Sequence, residues 1–227
     1  MKAIPLHDLS SFQRWSKTLP RYCFVDRDRF LLSLAKGRSV LHLGAADSPF
    51  HKEKALRGEM LHQKLLPVAS RLVGIDSDVG AVTWLREHHD IQSIIVADVC
   101  SRVPELGRFE LVFCCDIIEH VADPSSLLRG IKLMMDDDSR LVVTTINALS
   151  LKSALRAVFG REAVHPDHVS YYSFATLGSL LLRHGFRPLE YATFAYGTVD
   201  KSVGTLFRII NKAAPSSADG ILLSARP

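Results

Sequence analysis

Several features that would assign a function on their own are missing from this chain of 227 residues. It has four cysteines, Cys23, Cys100, Cys114 and Cys115, and no two stand in a CxxC pair, which excludes zinc sites of the finger type. There is no GxxxxGK loop to cradle a triphosphate and no GxGxxG turn. No stretch approaches the roughly 20 apolar residues of a membrane helix, and residues 1–15 hold no apolar segment of signal-peptide length. Repeats and low-complexity segments are absent as well. Charge of one sign is scarce: 28 basic against 24 acidic residues leave +4, spread along the chain rather than gathered into a basic arm. That argues against nucleic acid as a partner. The densest charge run, Asp136 to Asp138, reads as a solvated loop in preference to a metal cluster. Free thiols fit a reducing compartment, so the expectation is a soluble cytoplasmic protein with no membrane partner.

What is present is an ordinary globular composition, 47% hydrophobic and 23% charged, which excludes disorder for the bulk of the chain. The length allows one large domain or two small ones. Five short apolar runs recur: 39–43 (SVLHL), 71–76 (RLVGID), 93–98 (SIIVAD), 109–116 (FELVFCCD) and 140–146 (RLVVTTI). Continuous runs rich in β-branched residues suit strands buried on both faces of a parallel sheet. Helical patterns lie between them. Asp78 can cap a helix carrying Val79, Val82 and Leu85. Asp123 can cap another that starts at Pro124, with Leu127, Leu128, Ile131, Met134 and Met135 on its core face. Ser173 can cap a third, with Leu177, Leu180 and Leu181 inward and Gly185 as its stop. The alternation predicts a doubly wound α/β, Rossmann-like sheet. Near the end, 187–194 reads as a strand, Val203, Leu206, Phe207 and Ile210 as a helical face, and 220–225 as a last strand placed to run antiparallel.

In such sheets ligands sit beyond the carboxyl ends of the strands. The residues there are the small-residue turn Gly44, Ala45, Ala46, Asp47 and Ser48, then Asp76, Asp98, and Asp116 followed by Glu119 and His120. A turn of small residues lets backbone approach a ligand closely. Asp76 can accept both hydroxyls of a ribose, and Asp98 can accept from an adenine amine. A nucleoside with little phosphate fits this set.

The segments 40–50 (VLHLGAADSPF), 73–78 (VGIDSD), 96–99 (VADV), 109–124 (FELVFCCDIIEHVADP), 141–147 (LVVTTIN) and 168–186 together resemble the class I S-adenosylmethionine-dependent methyltransferases. EHVADP followed by an apolar helix is the most specific part. It is similar to the ubiquinone-pathway O-methyltransferases and to bacterial methyltransferases of sugars, lipids and natural products. The resemblance implies a seven-stranded sheet with a reversed last strand, one domain over 1–227, and S-adenosylmethionine as methyl donor. It implies cofactor contacts at Gly44, Ala45, Ala46, Asp47, Asp76, Ser77, Asp98, Val99 and Asp116, and a small-molecule acceptor methylated on a hydroxyl oxygen.

The first turn departs from the family pattern. His42 stands where an acid is usual, and Ala46 and Ser48 where glycines are usual, so an alanine at positive φ would be strained by about 1 kcal/mol or more. Asp47 is a candidate substitute for the missing acid, and His42 reads more simply as a hydrogen-bonded core histidine. The helix after the turn is expected to run on through Leu65.

An acceptor hydroxyl must lose a proton, and His120 is the best base by position and natural pKa. Glu119 and His168 join it as catalytic candidates, with His165, Tyr171 and Tyr172 on a loop over the acceptor. In some relatives an ExxEH motif and a later histidine bind a divalent metal. The counterparts here are Asp116, Glu119, His120 and His168, but most proteins with an EHV segment need no metal and none is assigned. Residues 1–36, with Phe12, Trp15, Leu19, Tyr22, Phe24, Phe30, Leu31 and Leu34, are too apolar for a free tail. They are expected to form a helical cap over the cleft, or else a packing extension beneath the sheet. Two other functions remain open on sequence: a methyltransferase-like fold that binds cofactor or a partner without catalysis, and a nicotinamide-dependent oxidoreductase.

Overall fold

The computed structural model describes residues 3–15, 18–20, 23–101, 103–196, 207 and 209–227. Tyr22, Val203 and Leu206 lie outside them. Eight strands form one sheet in the order β1-β7-β8-β6-β5-β2-β3-β4. In chain order they are β1 (Ile4–Pro5), β2 (Ser39–Leu43), β3 (Arg71–Asp76), β4 (Ile94–Val96), β5 (Phe109–Cys115), β6 (Met135–Ile146), β7 (Arg187–Phe194) and β8 (Gly220–Arg226). β4, β3, β2, β5 and β6 pair in parallel. β8 lies between β6 and β7 and is antiparallel to both, the expected reversed strand. The expected count of seven is corrected to eight, because Ile4 and Pro5 pair antiparallel with the free edge of β7, Ile4 opposite Tyr191.

The parallel strands are two-faced, as their apolar runs require. Along β5, Val112 and Cys114 enter the core on one face, and Leu111, Phe113 and Cys115 that on the other. This is the period-two alternation of a strand. The first face is covered by α5 (Pro124–Leu133) and α7 (Phe174–Arg183), and the second by α1 (Arg27–Ala35) and α3 (Leu61–Leu65). α4 (Val79–His89) packs over β4 with α2 (His51–Leu56). The three foreseen caps form: Asp78 accepts from the Ala81 N–H, Asp123 from those of Ser125 and Ser126, and Ser173 builds a reciprocal capping box with Thr176.

Other expectations are corrected. The helix after the first turn is two short ones, α2 and α3, because the chain breaks at Gly58, whose φ is +65°. Val79 faces solvent and Ala81 takes its place in the core. β6 begins at Met135, so Asp136 to Asp138 are exposed strand residues and not a loop. α6 (Leu151–Val158) was not foreseen, although Leu151, Ala154, Leu155 and Val158 repeat at helical spacing; none of its residues is buried in the fold. The N-terminal segment is not purely helical. After β1, Phe12 packs on Phe174 at 4.9 Å, Phe24 bridges to Thr193, Leu31 and Ala35 of α1 are buried, and Trp15 is fully exposed.

Candidate active site

The side on which successive strands are added reverses between β2 and β5. β2, β3 and β4 step outward one way, and the chain then returns to place β5 on the other side of β2. The crevice at the carboxyl ends of β2 and β5 is the ligand position of such sheets. Two loops meet there. The first turn leaves β2 at Gly44, whose φ is +71°. A Cβ on Gly44 would lie 2.2 Å from Ile117 Cδ1, in the loop after β5. Ala45 and Ala46 are buried, and neither sits at positive φ. That conformation falls on Gly44 and on Asp47 (φ 58°), a type that tolerates it, so the expected alanine strain does not arise. Asp47 pairs with Lys54.

Asp76, at the end of β3, fastens the turn. Its Oδ2 accepts from the Ala46 N–H at 2.9 Å and its Oδ1 from the Asp78 N–H at 3.0 Å. Each oxygen keeps a further lone pair. Ser77 lies between these contacts. Asp98 is exposed and accepts from the Cys100 N–H at 2.9 Å, with no described hydrogen bond to the first turn. Val99 is buried in the core, close against Gly130 of α5. His42 is buried, as a core histidine should be. Its Nδ1 lies 3.3 Å from Nδ1 of His62, whose Nε2 lies 2.8 Å from Ser93 Oγ. Burial pushes both rings down to about 3, so both are neutral.

Asp116 opens the second loop with φ 55°. Its carboxylate accepts from Tyr196 Oη at 2.6 Å, from Thr144 Oγ1 at 3.1 Å, and from the guanidinium of Arg27 at the start of α1. Burial opposes the Arg27 charge, but Asp116, together with smaller contributions from Cys115, Tyr196 and Asp28, outweighs it and raises the Arg27 pKa. Sequence reasoning missed Arg27, Thr144 and Tyr196. Nothing local marks them, since Arg27 stands 89 positions from its partner.

Glu119 is 1% exposed, and its Oε2 has no hydrogen-bond partner among the described residues. Burial, and then the charge of Asp116, push its carboxyl up to about 7. Its carbonyl accepts from the N–H groups of Val169 and Ser170, at 2.9 and 3.2 Å, which tethers the 165–171 loop beside His120. The His120 and His168 rings come to 4.4 Å between centroids, and each is 5.5 Å from His165. Burial lowers the pKa of His120 and His168, and the neighbouring imidazoles lower them further. Past β6, a cavity of about 790 Å³ lies between α6 and residues 160–171, lined by Ala148, Leu149, Ala154, Ala157 and Tyr171.

The sequence matches, over residues 15–191, the family described as a methyltransferase domain. The chain is a member of the class I S-adenosylmethionine-dependent methyltransferases. This methyltransferase domain is 30% identical over 165 residues to the ubiquinone biosynthesis O-methyltransferase of Chromobacterium violaceum, a match taking in 70% of this chain and 61% of that protein. The chain thus spans about three fifths of the length of the curated relatives it matches. The fold is similar to that of a putative methyltransferase from Bacillus halodurans, with TM-score 0.59 and 14% identity over 88% of this chain and 97% of that one. It is also similar to the N-methyltransferase NodS of Bradyrhizobium japonicum, solved with S-adenosyl-L-homocysteine, with TM-score 0.54 and 16% identity over 88% and 85% of the two chains. In this methyltransferase domain the family's first turn, the acid after β3 and the EHV loop thus stand together at the carboxyl ends of β2, β3 and β5, joined by Asp76 to Ala46 and by Ile117 over Gly44.

Proposed function

We propose that the protein, as one domain over 1–227 with residues 1–36 as its cap, transfers a methyl group from S-adenosylmethionine to a hydroxyl oxygen of a small-molecule acceptor in the cytoplasm. When bound, the cofactor supplies a methyl on a positively charged sulfur, which is already activated toward displacement. The residues therefore bind, orient and move a proton. Each carboxylate oxygen of Asp76 keeps a lone pair beyond its one backbone bond, the acceptor set that the two hydroxyls of a ribose diol need. Ala45, Ala46, Asp47 and Ser77 provide close-lying backbone, and Asp98 and Val99 stand at the adenine end. Asp116 and its Arg27 partner present paired charges to the amino-acid end.

His120, neutral at pH 7, accepts the acceptor's proton as the oxygen takes the methyl. His168 stands behind it, and Glu119 positions both through the carbonyl that holds the 165–171 loop. The small apolar wall of the cavity past β6 fits an acceptor with an apolar body. The relative from Chromobacterium violaceum, named as an O-methyltransferase, supports oxygen as the target atom.

The observation that carries this reading is the double fastening of Asp76 beneath the first turn. Its test is calorimetric titration with S-adenosyl-L-homocysteine. Asp76→Ala is expected to weaken binding by about a hundredfold or more, since two charge-assisted hydrogen bonds of about 1.5–3 kcal/mol each are lost. Unchanged affinity in a folded variant would overturn the site.

A further inference from the structure

We infer that His120, His165 and His168 form a binding site for one transition-metal ion of the zinc type, with three imidazole ligands and an open fourth position. One potential ligand atom from each ring lies within 4.8 Å of those of the other two. A tetrahedral zinc with Zn–N bonds near 2.0–2.1 Å sets its nitrogens about 3.4 Å apart, so each ring need move by only about an ångström. The backbone already holds the rings in place. The Val169 and Ser170 N–H groups donate to the Glu119 carbonyl, and the His168 N–H donates to the His165 carbonyl at 3.0 Å.

The surroundings match what metal-bound histidines use behind the metal. Nδ1 of His165 accepts from the Asp167 N–H at 3.3 Å and lies 3.7 Å from Asp167 Oδ2, the carboxylate that would face its proton once Nε2 ligates. Nδ1 of His168 is buried with no partner among the described residues.

This ligand set differs from the carboxylate-rich one that the family resemblance implies. Asp116 is engaged by Arg27, Tyr196 and Thr144, and Glu119 is buried behind the loop. An all-imidazole set prefers zinc, cobalt or nickel over magnesium or calcium, which favour oxygen. If the methyl-transfer reading holds, on which this role alone rests, the open position suits the acceptor oxygen; in the metal-loaded protein His120 is then a ligand in place of the base, and the cation eases release of the acceptor's proton to water.

The test uses untagged, full-length protein freed of metal with a chelator. Zinc(II) is titrated by calorimetry, and cobalt(II) is followed by its visible absorption. One equivalent should bind at micromolar concentration or tighter, with the visible band of a four-coordinate cobalt ion. His165→Ala and His168→Ala should each weaken zinc at least tenfold, whereas His88→Ala on α4 should leave it unchanged. His165→Gln serves if the alanine variant fails to fold, as judged by its melting temperature. No stoichiometric zinc, preference for magnesium, or zinc affinity that survives both substitutions overturns the site. S-adenosyl-L-homocysteine is titrated into the same samples. Cofactor bound without zinc defeats the metal site alone, and zinc bound without cofactor defeats the methyl-transfer reading alone.

Discussion

Gly44 has no room for a side chain and a φ that only glycine adopts freely. Gly44→Ala should cost about 1–2 kcal/mol from the left-handed backbone and about 1–3 kcal/mol more from pressing on Ile117. The expected outcome is a lower melting temperature together with cofactor affinity weakened at least tenfold; a variant that keeps wild-type affinity would separate this turn from the cofactor. Glu119 carries a different signature. Its folded carboxyl holds a proton up to about pH 7, whereas the unfolded one ionises near 4.5. The folded state binds more protons across that window, so this group's effect is to lower stability as pH rises through it. Glu119→Gln should therefore gain on wild type between pH 5 and pH 8, by a few kcal/mol in urea unfolding. A difference that stays constant across those pH values would contradict a buried carboxyl whose Oε2 has no partner among the described residues. At this scale the sequence was informative wherever a residue ends a strand. Asp76 and Asp116 are legible because a buried apolar run stops at an acid. Arg27 and Tyr196 are not, because their meaning comes from a partner 80 or more positions away.

Elements were legible in proportion to the contrast between their faces. β2, β3, β5 and β7 read directly as apolar runs, and α5 and α7 as capped helices with an inward stripe. α6 was missed although Leu151, Ala154, Leu155 and Val158 repeat at helical spacing, because eight residues make a short pattern, and the α2–α3 break was missed because one glycine among helix-forming residues is a weak signal. The convergence of His165 and His168 on His120 was likewise hidden, since it depends on a carbonyl tether between two loops. The contact between β2 and α3 has its own pH dependence. His42 and His62 stay neutral in the fold down to about 3, whereas unfolded histidine protonates near 6.5. Their contribution is complete above pH 6.5 and is lost as pH falls toward 3. Replacing both rings by leucine should flatten the acid limb of the stability profile by up to about 1.4 kcal/mol per proton per pH unit. An unaltered limb in a folded double variant would show that the pair is not buried neutral.

For the molecule as a whole, the N-terminal segment is both an edge and a plug. β1 covers the border of β7, and Phe12 fills the space over Gly178, where a Cβ would lie 2.0 Å from its ring. Removing residues 1–14 should expose Phe174 and the β7 edge. The melting temperature should fall and light scattering should show association, while Arg27 keeps its hold on Asp116 and cofactor affinity changes little. A truncated chain that stays monomeric with an unchanged melting temperature would reassign that segment to the surface.

The position of β8 has a consequence for how the protein is made. Residues 220–226 follow every other strand in the chain, yet they pair in the interior of the sheet, between β6 and β7. While a ribosome is still adding them, β7 has no neighbour on that side and β6 presents an open border. Completion of the fold therefore waits on the release of the last strand from the exit tunnel, and a nascent chain stalled at residue 214 should remain sensitive to protease across its C-terminal third.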